Sequence, residues 1–153
     1  MLFRSPDLVL AGEKKWEFAA TESLAVTLNC GERVAFPGVI PDRDLPALYQ
    51  GALAFVYPSL YEGFGLQLVE AMASGIPIVA SNRTSIPEIL GDAGLLFDPE
   101  KPEEIAERLR QVSCDAALRE RLQRLSAARA AEFSWSRMAA ETLAVYRRVL
   151  NRD

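Results

Sequence analysis

The chain has 153 residues, half of them apolar and a quarter charged, which is the balance of one globular domain with a real core. A net charge of −4 excludes the basic surface that nucleic-acid binding requires. Histidine is absent, so histidine bases and histidine metal ligands are excluded as well.

In chain order, residues 8–11 read as an apolar strand closed by Gly12. Residues 16–28 read as a helix, 33–36 as a second strand ended by Pro37-Gly38, and 44–50 as a short helix. Residues 55–57 form a third strand, followed by a glycine-rich turn and a helix over 65–73. Gly75-Ile76-Pro77 breaks that helix and leads into a strand at 78–80. Ser85 stands three residues before Glu88, the pattern of a capping box, and opens another short helix. Residues 94–97 are the fifth strand, stopped by Asp98-Pro99, and helices over 102–112, 116–131 and 136–150 finish the chain. Arg108, Arg110, Arg119, Arg121, Arg124 and Arg129 are interleaved with acids and read as solvated helix faces.

Cys30 and Cys114 match no metal or redox spacing and read as free thiols of a reducing compartment. The first apolar run is too short for a signal peptide, and no stretch is long enough to span a membrane. The expected location is cytoplasmic, with the inner face of the membrane as the alternative for a full-length enzyme.

The strands are near-continuous apolar runs, as expected of strands buried on both faces, and they alternate with helices. The predicted fold is therefore α/β: a three-layer, doubly wound parallel sheet of about five strands with extra C-terminal helices. In such sheets ligands bind beyond the carboxyl ends of the strands. One such end carries Tyr57-Pro58-Ser59 and then Glu62-Gly63-Phe64-Gly65-Leu66-Gln67-Leu68-Val69-Glu70. This layout suits a sugar joined to a nucleotide diphosphate. A helix N-terminus offers unpaired N–H groups and partial positive charge to phosphate. Gly63 and Gly65 let the backbone come close to a ligand. Glu70, inside the helix, can accept both ribose hydroxyls, and Glu62, before it, can meet the sugar hydroxyls. Read singly, each of these residues is also an ordinary surface acid or a tight turn. A dinucleotide-binding reading finds no G-x-G-x-x-G after the first strand.

With its neighbours the motif resembles the donor-binding half of GT-B glycosyltransferases, in the retaining group called family 4 or glycosyltransferase group 1. The matching stretches run from Tyr57 through Leu66, then Glu70-Ala71-Met72-Ala73-Ser74-Gly75-Ile76-Pro77. Others include Pro87-Glu88, Gly91-Asp92-Ala93-Gly94 and Phe133-Ser134-Trp135. The resemblance implies transfer of a hexosyl unit from a nucleotide-diphosphate sugar with retention of configuration, without a metal or other cofactor. It implies that Glu62 contacts the transferred sugar as the catalytic-site carboxylate. Gly63, Phe64, Gly65 and Leu66 would hold sugar and diphosphate, Glu70 the ribose, and the loop at Val39 the base. Gln67 departs from the family pattern, which has proline there.

The resemblance also implies parts that this chain lacks: the acceptor-binding domain, and a first β-α unit with an arginine and a lysine for the diphosphate. Residues 1–6 are too few to hold them, and Lys14 and Lys15 are poor substitutes. The chain is expected to be inactive alone. Its sheet is expected to close by pairing 8–11 with 55–57, in the order 2-1-3-4-5, and exposed interdomain surface is expected to favour self-association. The alternative function is a non-catalytic nucleotide-sugar-binding or assembly module on the same fold.

Overall fold

The computed structural model describes residues 7–14 and 18–150. The expected helix start at Trp16, Lys15 and residues 1–6 lie outside them. The chain divides into two compact units, Met1–Leu48 and Tyr49–Asp153.

In the first unit β1 (Leu8–Ala11) runs parallel to β2 (Val34–Gly38), joined through α1 (Phe18–Thr27) and one 3-10 turn (Gly31–Arg33). The pairing slips between Val9 and Ala11, and Gly12 N–H closes it on the Gly38 carbonyl at 2.9 Å. Helix α1 ends because Asn29 takes a φ of +54°. Cys30 N–H then reaches back to the Ala25 carbonyl and Asn29 N–H to that of Val26, which satisfies carbonyls the helix leaves open. Phe18 packs edge-on against Phe36, with centroids 5.2 Å apart. A short helix, α2 (Leu45–Gly51), carries the chain into the second unit.

The second unit is a three-stranded parallel sheet in the order β3 (Phe55–Tyr57), β4 (Ile78–Ser81), β5 (Gly94–Phe97). Its helices are α3 (Leu66–Ala73), α4 (Ile86–Leu90), α5 (Pro102–Cys114), α6 (Ala116–Ala130) and α7 (Trp135–Leu150). All four residues of β4 are buried, as a continuous apolar run predicts for a central strand. Phe97, Val112 and Leu122 close on Val79, and each large side chain buried this way contributes about 1.5–3 kcal/mol. Ser126 of α6 is buried too, and its hydroxyl is satisfied by the carbonyls of Ile76 and Ala93. Asp115 separates α5 from α6: its carboxylate accepts the Leu118 N–H at 2.9 Å, an N-cap that starts the new helix. No residue of α7 is buried.

Three expectations change. The strands form two ladders, β1-β2 in the first unit and β3-β4-β5 in the second. With one hydrogen-bonded neighbour, β1 is exposed throughout, so its apolar run does not mark burial on two faces. The arginines are not simply solvated. Arg108 donates to the Leu96 carbonyl, Arg119 to those of Val112 and Ser113, and Arg129 to those of Glu88 and Ile89. Free carbonyls at element ends draw the guanidinium forks inward, while Arg110, Arg121 and Arg124 stay exposed. Ser85, finally, does not cap α4, for a reason that lies in the site.

Candidate functional site

Strands β3, β4 and β5 are parallel, so Tyr57, Ser81 and Phe97 end at one edge of the sheet. The loop after β3 carries Glu62, and helix α3 follows it directly. Gly65 is the N-cap of α3, with φ +91° and ψ +62°, the left-handed region that glycine enters without penalty. A Cβ there would also stand 3.2 Å from Leu68 Cδ1. Gly63 differs: nothing within 4 Å would meet its Cβ, so packing within the chain does not explain its small size. Leu68 N–H bonds to the Gly65 carbonyl at 2.9 Å. The N–H groups of Gly63, Phe64, Gly65 and Leu66 have no backbone partner among the described residues, and they stand at the positive end of α3.

Glu62 is half-buried and firmly held. Its Oε1 accepts from Tyr57 Oη at 2.5 Å and from Ser59 Oγ at 2.9 Å. Oε2 takes no hydrogen bond among the described residues, so one oxygen of the carboxylate anchors it and the other is available. Tyr57 Oη also stands 3.2 Å from Gln67 Oε1. One phenolic proton cannot serve both, and the shorter, charge-assisted contact to Glu62 takes it. Turning the Gln67 amide over would offer its NH₂ to the phenol oxygen instead. Burial and then the bond to Glu62 push the Tyr57 phenol well above its ordinary value.

The main chain of Glu62 is held from the loop after β4. Its N–H donates to Thr84 Oγ1 at 3.1 Å, and its carbonyl accepts from Ser85 Oγ at 3.0 Å. Ser85 Oγ also lies 3.3 Å from the Phe64 carbonyl. Ser85 thus occupies the N-cap position of α4 without a side-chain cap bond, and the predicted capping box with Glu88 does not form. Its backbone is helical, with φ −79° and ψ −15°, rather than extended as an N-cap usually is, and its side chain is turned to the glutamate loop. Thr84 has a φ of +51°, a conformation that β-branched residues rarely adopt.

Glu70 sits one turn into α3 and is exposed, so it needs no buried partner. Tyr49 Oη approaches its Oε2 at 3.4 Å. Burial first, and then the Glu70 charge, push the Tyr49 phenol up to about 12. An aromatic row joins the two carboxylate partners: Tyr49 meets Phe55 edge-on at 5.3 Å, and Phe55 stacks on Tyr57 at 5.7 Å. Phe64 is exposed and packs edge-on against Phe133 at 5.9 Å, with Arg129 over the other ring.

The second unit therefore brings together Glu62, Gly63, Phe64, Gly65, Leu66 and Glu70. Val39 belongs to the first unit, where it follows β2 directly and is exposed. Lys14 is drawn to Glu22 at 3.7 Å and over the Phe18 ring. A cation does stand at the sheet edge, but Arg83 is held by Asp98 at 2.9 Å and Glu100 at 2.6 Å. The sequence places Tyr57 and Ser59 at the ligand-binding end of β3, but it does not mark them, Tyr49 or Thr84 as partners of the glutamates. A tyrosine at the end of an apolar strand was the available signal, since a half-buried hydroxyl requires a partner.

The fold is that of a Rossmann-like α/β domain of the GT-B kind. The model of the family "Glycosyl transferases group 1" matches residues 2–129, and the chain belongs to that family. It is 41% identical over 140 residues to O-antigen chain mannosyltransferase B of Escherichia coli, covering 92% of this chain and 37% of that protein. It is 39% identical over 136 residues to the MMP alpha-(1->4)-mannosyltransferase of Mycolicibacterium hassiacum, covering 86% of this chain and 33% of the other. The chain thus spans about a third of the length of these relatives. Among solved structures, sucrose-phosphate synthase from Thermosynechococcus elongatus superposes with a TM-score of 0.85 at 29% identity, over 96% of this chain and 39% of that one. Anabaena HepE, in complex with UDP and glucose, superposes with a TM-score of 0.81 at 25% identity, over 91% of this chain and 40% of that one. Among the described residues no helix is long and apolar enough to cross a membrane.

Proposed function

We propose that this chain is the donor-binding part of a glycosyltransferase that moves a sugar, mannose in the first instance, from a nucleoside diphosphate to an acceptor with retention of configuration. The observation that carries this reading is the state of Glu62. One carboxylate oxygen is fixed by Tyr57 and Ser59, the other takes no hydrogen bond among the described residues, and the N–H groups that open α3 a few residues on have no backbone partner among them. A carboxylate oxygen so held accepts sugar hydroxyls in charge-assisted bonds. The N–H groups of Phe64, Gly65 and Leu66 take the diphosphate, and the helix dipole stabilises the negative charge that grows on it as the glycosidic bond breaks. No metal is assigned to this step. Glu70 accepts the ribose hydroxyls. Acceptor recognition falls to a part of the full enzyme outside the matched third, so the isolated chain binds donor without turning it over.

Mannose is favoured because the two relatives above are named mannosyltransferases. HepE with UDP keeps uridine donors in view. Calorimetric titration of the chain with GDP-mannose and UDP-glucose, with Glu70→Ala beside the parent, tests the reading. Binding by the parent that weakens in the variant is expected. Equal affinities, or no binding of either donor, would overturn it.

A further inference from the structure

We infer that Thr84 is a positioning residue: its left-handed backbone is retained because it brings the threonine hydroxyl onto the main chain of Glu62. The geometry that argues for this is local and specific. Thr84 has a φ of +51°, and Asn29 is the other described non-glycine residue at positive φ. Asn29 ends a helix, where asparagine is at home. Thr84 has no such excuse, since a β-branched side chain is crowded in that region and glycine would relieve it. Such outliers persist where the surroundings over-determine them, and they gather at functional sites.

Here the surroundings are the glutamate loop. Thr84 Oγ1 accepts the Glu62 N–H at 3.1 Å, and the next residue, Ser85, donates to the Glu62 carbonyl at 3.0 Å. Both main-chain groups of one residue are thus held by two consecutive hydroxyls from the loop after β4. Tyr57 and Ser59 hold the side chain from the other direction. With the backbone fixed and one carboxylate oxygen engaged, the remaining oxygen has one direction left to it. Glycine at position 84 would remove the strain and the hydroxyl together; the chain keeps both.

The functional half of this inference rests on the donor reading above, and the structural half on geometry alone. The test uses Thr84→Gly, Thr84→Val and Thr84→Ser. Amide exchange at Glu62, followed by NMR, reads the clamp without any ligand. Exchange about fivefold faster is expected in the glycine and valine variants and no change in the serine variant, the loss of one hydrogen bond. Calorimetry then compares GDP-mannose with GDP, or UDP-glucose with UDP should the parent prefer uridine. GDP-mannose affinity falls about fivefold in the glycine and valine variants. GDP affinity is unchanged, and the serine variant matches the parent in both. Thr84→Gly melts within about 4 °C of the parent, because relief of strain offsets the lost bond, so weaker binding cannot be laid to unfolding. Unchanged Glu62 exchange in Thr84→Gly, or equal loss of GDP and GDP-mannose, would overturn the inference. A parent chain that binds neither ligand refutes the donor reading, and the clamp then stands or falls on the Glu62 amide.

Discussion

The Tyr57 hydroxyl lies 2.5 Å from Glu62 Oε1, a short bond between the last residue of β3 and the carboxylate of the loop that β3 feeds. It ties the orientation of a site residue to a strand of the sheet, so the carboxylate is as well placed as the strand itself. Tyr57→Phe keeps the ring stack on Phe55 and removes the bond. Ser59 still holds Oε1, so the expected loss is about 1 kcal/mol in nucleotide-sugar affinity. Affinity for the nucleoside diphosphate alone stays unchanged, and paired calorimetric titrations measure both.

Tyr49 and Glu70 form the second such pair, and this one can be read by titration. The Tyr49 phenol ionises near 12, above the ordinary 10.0, with burial the larger cause and Glu70 the next. A raised folded value means that the neutral phenol stabilises the fold. That contribution is whole below pH 10.0 and is lost as pH rises through about 12. In Glu70→Gln the phenolate absorbance of Tyr49 appears at lower pH than in the parent, yet still above 10.0, because burial remains. An unchanged titration curve would show that the two groups do not interact.

The two glycines of the loop separate stability from binding. Gly65→Ala forces a side chain into φ +91° and to within 3.2 Å of Leu68, and loses about 1–2 kcal/mol of stability from the backbone alone. Gly63→Ala meets nothing within 4 Å, so its stability stays within about 0.5 kcal/mol of the parent. On the proposed function, Gly63→Ala still weakens donor binding, because its methyl group occupies space that the ligand approaches. Chemical denaturation and donor titration of both variants check the pair.

Asp98 carries the acid sensitivity of the sheet edge. The Glu100 N–H, and then the Arg83 guanidinium, hold its carboxyl below the ordinary 3.8. Glu104 is held below 4.5 by the Asp98 N–H and then by Lys101. Lowered folded values stabilise the fold fully above the ordinary carboxylate range, and that stabilisation is lost as pH falls through the folded values. Asp98→Asn removes one of these groups. Its melting temperature therefore falls less than the parent's between about pH 6 and about pH 3.

The glutamates and the strand before them were legible in the sequence because their signals are local: an apolar run, then glycines, then a helix. Elements β1, β3 and β5 fall where their apolar runs place them, and the long C-terminal helices within two residues. Contacts between segments were not legible. Ser85 carried a sound capping pattern, yet its hydroxyl went to Glu62 and Phe64, which only the folded sheet edge brings near. The arginines looked like surface charge because the carbonyls they cap belong to other turns, as with Arg129 and Glu88.

The central claim is that Glu62 serves the sugar and Glu70 the ribose. Calorimetric titration of the parent, Glu62→Gln and Glu70→Ala with GDP-mannose and with GDP tests it most directly. Glu62→Gln is expected to lose about tenfold in GDP-mannose affinity and nothing in GDP affinity, and Glu70→Ala about tenfold in both, the scale of hydrogen bonds to a charged group. Two variants that bind both ligands as the parent does, or an effect of Glu62→Gln on GDP alone, would contradict it.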